Sequence, residues 1–152
     1  MLPLHKLLFN TLLALPLLAA AEGLIWQKSV HGFDYYRGQL SVHGQYLRRF
    51  DDEILGNDIC FVVDQPQAQL LPRNDGNMRL EWFCFSNQDT AQQLFNLSNT
   101  PPRQACGYQG TATVTIAQYI AYIEESEGHD MARLLSAQNI GQPQLLHCDN
   151  NP

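Results

Sequence analysis

Four cysteines, Cys60, Cys84, Cys106 and Cys148, constrain this chain more than any other feature, because their positions suit disulfide bridges and not a metal site. A structural zinc site needs close pairs such as CxxC or CxxH. Here the cysteines stand far apart, and His147 beside Cys148 lacks that spacing. An even number of cysteines in an exported chain is the pattern of a disulfide framework. Export is read from residues 1–21, where Lys6 precedes an apolar run from Leu7 to Leu18 that ends in Ala19-Ala20-Ala21. That is a secretory leader pattern, with cleavage expected after Ala21. The run is about half of the ~20 residues a membrane span needs, and Asn10, Thr11 and Pro16 interrupt it. The expected location is periplasmic or secreted, with no membrane span after cleavage. Four cysteines allow three connectivities. The pairing expected here is Cys84 with Cys106, closing a short loop over a helix, and Cys60 with Cys148, tying down the tail.

Without the leader, about 130 residues remain, one domain's worth of chain. We divide the chain into a signal peptide (1–21), an N-terminal lead-in segment (22–36), a single folded domain (37–138) and a polar C-terminal tail (139–152). The full sequence carries 9 Lys and Arg against 15 Asp and Glu, a formal net charge of −6. Loss of Lys6 with the leader makes the exported chain one unit more negative. Such a surface repels phosphate backbones, which argues against nucleic-acid binding. It suits a cationic protein or peptide.

The folded part reads as mainly β with one short helix. Gly38 to Tyr46 alternates apolar and polar residues at period two, the mark of a half-buried strand, with Gly38 and Gly44 expected at bends or bulges. Asp58 to Asp64 is a second strand, apolar on both faces. A connection with Pro66, Pro72 and Asn74-Asp75-Gly76 is built for turning. It leads to the most aromatic stretch of the chain, Arg79 to Ser86, expected to form a hairpin with the second strand. Leu80, Trp82 and Cys84 share one face of that strand, and Phe83 and Phe85 the other. Asn87 to Leu97 has a helix start signal and apolar residues at 91, 94 and 95, with Pro101-Pro102 as a stop. Thr111 to Ile116 is a clean period-two strand continuing toward Tyr119 and Tyr122, and Met131 to Ala137 is the last.

This order of strand, strand, strand, helix, strand, strand resembles the oligonucleotide/oligosaccharide-binding fold, a five-stranded Greek-key barrel with its helix between the third and fourth strands. The resemblance covers residues 37–138. It implies a small disulfide-stapled barrel whose binding face is flanked by the loops after the first and fourth strands. Those loops are acidic here: Asp51, Asp52 and Glu53 in one, Glu124, Glu125, Glu127 and Asp130 in the other. Their convergence would create a negative site for a cationic partner. The spacing lacks the DxDxDG frame of a calcium loop, and no metal or cofactor is expected.

No GxSxG, HExxH or phosphate-cradling glycine loop is present in the sequence. His43 is expected on a polar strand face in solvent, and His147 in the tail. Arg48, Arg49 and Phe50, with Tyr35, Tyr36 and Tyr119, offer stacking surface for a sugar or peptide, or else core and rim packing. The expected function is a non-catalytic binding module. The alternatives are an inhibitor or immunity-type protein against a basic wall-degrading enzyme or toxin, and an enzyme whose site is assembled only in the fold.

Overall fold

A computed structural model of the chain describes residues 23–72, 81–124 and 128–148. The leader, the turn at 74–76, Leu80, Glu125 and Glu127 lie outside the described residues. The elements in chain order are β1 (Gly23–Val30), β2 (Phe33–Arg49), β3 (Ile59–Val63), a short 3₁₀ turn (Gln67–Leu70), β4 (Trp82–Phe85), α1 (Gln88–Phe95), β5 (Gly107–Tyr122), β6 (Asp130–Gln138) and β7 (Gln144–Leu146). They form one seven-stranded sheet in the order β1-β2-β3-β4-β6-β5-β7. An additional antiparallel pairing of β2 with β5 closes β2, β3, β4, β6 and β5 into a ring. Within the ring only the β4–β6 pair is parallel.

Period-two alternation explains both long strands. Val42 and Tyr46 of β2 and Ala112, Val114 and Ile116 of β5 are fully buried, while the residues between them face outward. Phe61 of β3, Phe83 and Phe85 of β4, and Ala132 and Leu134 of β6 complete the interior. Phe61 and Phe83 stack with centroids 5.7 Å apart, and Phe83 meets Tyr119 edge-on at 5.8 Å. The aromatic stretch is therefore a core strand, as its composition predicts.

Gly38, with φ of +98°, sits at the break in β2–β5 register between Tyr35 and Gln39, the expected bend. Gly44 serves another purpose: a Cβ there would fall 2.0 Å from the Val62 carbonyl oxygen, so it lets β3 approach closely.

The helix begins one residue later than expected and ends at Asn96, whose left-handed conformation (φ 52°) terminates it well before Pro101. Asn87 caps no helix N–H. Its side-chain amide instead donates to the Leu134 carbonyl at 2.9 Å and accepts from the Leu134 N–H at 2.8 Å. Gln88 does the same for Ile59, accepting from its N–H at 2.7 Å. The helix is thus fastened to β6 and β3 by amide side chains, and Phe95 stacks on Tyr46 at 4.3 Å.

Two expectations need correction. Among the described residues the strand count is seven rather than five, because the lead-in segment forms β1 and a two-residue hairpin turn, His31-Gly32, into β2, with both residues at positive φ. The polar tail contains β7, which pairs with β5 from Gly107 opposite Leu146 to Gln109 opposite Gln144.

The disulfide pairing is also different: Cys60 joins Cys84, and Cys106 joins Cys148. Cys60 and Cys84 are direct cross-strand partners in the β3–β4 ladder, so hairpin register brings them together. Cys106 lies just before β5 and Cys148 just after β7, and pairing of those two strands does the same. A hairpin read from sequence carries this pairing with it, because strand neighbours meet before distant residues do.

Candidate functional site

Among the described residues the acidic side chains do not converge. Asp51, Asp52 and Glu53 follow Arg49, which pairs with Gly107, whereas Glu124 follows Tyr122, which pairs with Phe33 at the other end of the same ladder. β2 has 17 residues, and a strand of that length runs roughly 50 Å along its path. Asp51 is held by Arg49 through two hydrogen bonds of 3.1 and 3.0 Å. Those bonds keep its carboxyl below the ordinary carboxylate value. Asp52 accepts from the N–H groups of Ile54 and Leu55 at 2.9 Å each, folding its own turn. Glu53 and Glu124 are exposed.

Asp130 is not a loop residue. It opens β6 and is only 3% exposed, accepting from the Tyr119 hydroxyl at 2.5 Å and the Tyr122 N–H at 2.8 Å. Its alternation with Ala132 and Leu134 already places it on the inward face of β6.

The residues considered for stacking divide between core and rim. Tyr119 is fully buried. Tyr36 is half-buried beside it, its hydroxyl pushed above the ordinary tyrosine value first by burial and then by Asp34 and Asp130. Tyr35 lies under the Lys28 ammonium. Arg48 is buried and donates to the carbonyls of Asn57 (2.8 Å) and Ser98 (3.1 Å) and to the side chain of Asn99 (3.3 Å). Burial lowers its pKa. It therefore ties loops to the end of β2. His43 is exposed as expected, with Nδ1 2.7 Å from Asp64 Oδ2.

The outer face of the β2–β5 ladder carries the other candidate. Cross-strand rows place Ser41 beside Thr115, His43 beside Thr113, and Gln45 beside Thr111. Along its other edge β5 pairs first with β7, Gln109 opposite Gln144, and then with β6, Thr113 opposite Gln138. Residues 139–143 cross the gap between those pairings. Gly141 anchors the crossing, donating its N–H to the Thr111 carbonyl and accepting from the Tyr46 hydroxyl, each at 2.8 Å.

Tyr46 belongs to the core, yet its hydroxyl reaches this seam because Gly110 has no side chain. A Cβ at Gly110 would lie 2.2 Å from that oxygen. Burial raises the Tyr46 pKa, so the hydroxyl remains a donor.

A cavity of about 290 Å³ opens here, lined by Gln45, Gln109, Thr111, Gln142 and Gln144, with Gly110, Gly141 and Pro143. Each glutamine amide offers two donors and an acceptor, and the threonine hydroxyl offers both roles. Among the described residues the lining contains no ionisable side chain, and its polar groups are hydrogen-bonding amides and a hydroxyl.

Sequence reasoning missed these glutamines. Gln45 and Gln109 sit at outward positions of the alternating strands, and Gly141-Gln142-Pro143-Gln144 repeats the amide in the tail. What it lacked was the pairing of β7 that joins them.

Among the described residues no group of three or more His, Cys, Asp or Glu is placed to hold a metal ion, and no helix is long and apolar enough to cross a membrane. Comparison of the chain with protein-family models, curated protein sequences and solved structures finds no match.

Proposed function

We propose that this chain is an exported, non-catalytic binding module that holds an uncharged, hydroxyl-rich ligand in the glutamine-lined cleft. The observation that carries the reading is the lining itself: four glutamines and a threonine converge on one concave site with no charged group among them. Neighbouring hydroxyls of a neutral saccharide each donate and accept, and an amide matches such a pair with one planar group. Ligand sites are concave, with a few placed polar groups fixing orientation. At about 290 Å³ the cavity is at the lower limit of the roughly 300–1,000 Å³ of small-molecule sites, which suits the terminal unit of a glycan. Two disulfides favour an oxidising compartment. The barrel reading of the ring has support in its closure, its strand order and the helix between β4 and β5.

A cationic protein partner is the second reading, favoured by the net charge of −6. With the acidic turns apart, that charge steers encounter more than it builds a site. It extends to an inhibitor of a basic enzyme or toxin.

Calorimetric titration of neutral oligosaccharides into the oxidised protein separates the two. Gln109→Ala or Gln144→Ala is expected to weaken binding about tenfold, the worth of one or two hydrogen bonds. The triple change Asp51→Asn, Asp52→Asn, Glu53→Gln should leave it unchanged. Binding only of basic proteins, abolished by the triple change and indifferent to the glutamines, transfers the site to the acidic turn.

A further inference from the structure

The two bridges differ in access and in what they hold. Cys60 and Cys84 are each 1% exposed. Cys106 is half-buried and Cys148 exposed. On the Cys106 side the backbone is fixed independently of sulfur and of β7: its carbonyl accepts from the Phe50 N–H at 2.9 Å, whereas its N–H donates to the Leu146 carbonyl of β7 at 2.8 Å. On the Cys148 side stands β7, three residues long, with Gln144 exposed and Leu145 52% exposed. So short an edge strand buries too little apolar surface to hold itself. The three residues before it, Gly141 to Pro143, and its first residue Gln144 form one wall of the cleft.

We propose that Cys106–Cys148 is a redox latch on the cleft, opened by a dithiol reductant that cannot reach Cys60–Cys84. The proposal rests on the cleft being the ligand site. A thiolate of the reductant attacks the exposed Cys148 sulfur, forming a mixed disulfide and expelling the Cys106 thiolate, which takes up a proton. The second thiol of the reductant displaces Cys148 as a thiol and closes the reductant's own disulfide. Two electrons and two protons pass to the protein. Cys106 stays in place by the bond from the Phe50 N–H, while β7 leaves β5 and draws the wall ahead of it off the two bonds at Gly141. The ring keeps its core bridge, and the cleft loses Gln142 and Gln144.

The test uses the wild-type protein and no ligand. Graded dithiothreitol is followed by iodoacetamide, peptide mass spectrometry and amide hydrogen exchange. Cys106 and Cys148 are expected to alkylate at least tenfold faster than Cys60 and Cys84. Exchange over residues 141–146 should rise at least tenfold, with the far-ultraviolet circular dichroism of the ring retained. Simultaneous reduction of both bridges, global unfolding on opening of the first, or continued protection of 141–146 after Cys106 and Cys148 are alkylated overturns the latch. Because exchange reports the wall directly, a latch that fails is distinguishable from a cleft that binds no neutral saccharide.

Discussion

Cys60–Cys84 links two residues that the β3–β4 ladder already places side by side, inside the shell that covers Phe61, Phe83 and Phe85. Cys106–Cys148 links the start of a long central strand to the end of a three-residue strand on the surface. Loop-closure entropy alone ranks the second bridge higher. It closes 42 residues against 24, or roughly 4 against roughly 3.5 kcal/mol of restriction on the unfolded chain. Burial ranks them the other way. When the surface bridge opens, the native tail also gains freedom, which offsets part of the entropy released to the unfolded chain. Losing the buried bridge brings the native state no such relief. Burial therefore wins, and the comparison separates a staple of the core from a fastening of the cleft wall.

The largest expected effect comes from testing that ranking. Cys60→Ser with Cys84→Ser should cost about 4 kcal/mol in urea unfolding, and Cys106→Ser with Cys148→Ser about 2 kcal/mol. Equal losses would remove the distinction.

Next in size is Arg48→Met. It preserves the apolar stem but strands the carbonyls of Asn57 and Ser98, at about 2–3 kcal/mol by the same measurement. Because neither carbonyl belongs to β5 or β7, hydrogen exchange over 141–146 should not change.

Tyr46→Phe is smaller, about 1 kcal/mol, and sharpens the comparison from the inside. It removes the bond between a core hydroxyl and the Gly141 carbonyl. Exchange of the Gly141 amide should accelerate, while the β3–β4 ladder remains protected.

The smallest effect is electrostatic. Arg49 holds the Asp51 carboxyl below its ordinary value, so its stabilisation is present above the unfolded carboxylate pKa near 4 and is lost as pH falls through the lower folded value. In an NMR titration, Arg49→Ala should return Asp51 to the ordinary carboxylate range and leave both bridges unaffected.

How far the sequence carried differs between the two regions. The alternation of Val42 with His43, or of Val114 with Thr113, is local and fixes which face each residue takes. The aromatic run Trp82 to Phe85 likewise marks a core strand, and Asn87 a helix start. The surface strap was illegible for a physical reason. Gln144-Leu145-Leu146 is too short to show a period and becomes a strand only because β5 presents an edge beyond the point where β6 leaves it. The cleft inherits that difficulty, since half its glutamines come from this segment. The acidic residues misled because charge is visible in composition while strand register, which separates Asp51 to Glu53 from Glu124, is not. Asp130 was misplaced for a related cause: a run of acids suggests solvent, yet its parity with Ala132 and Leu134 turns it inward.

The most direct measurement of the central claim is a nitrogen-15 NMR titration of the oxidised protein with neutral oligosaccharides, following the side-chain amide signals. Binding in the cleft predicts saturable shifts at Gln45, Gln109, Gln142 and Gln144 and at the backbone amides of Gly110 and Gly141, with Asp51 to Glu53 unmoved. Saturable shifts confined to the acidic turn at Asp51 to Glu53, or no shift at any of these glutamines across a broad series of neutral glycans, would contradict it.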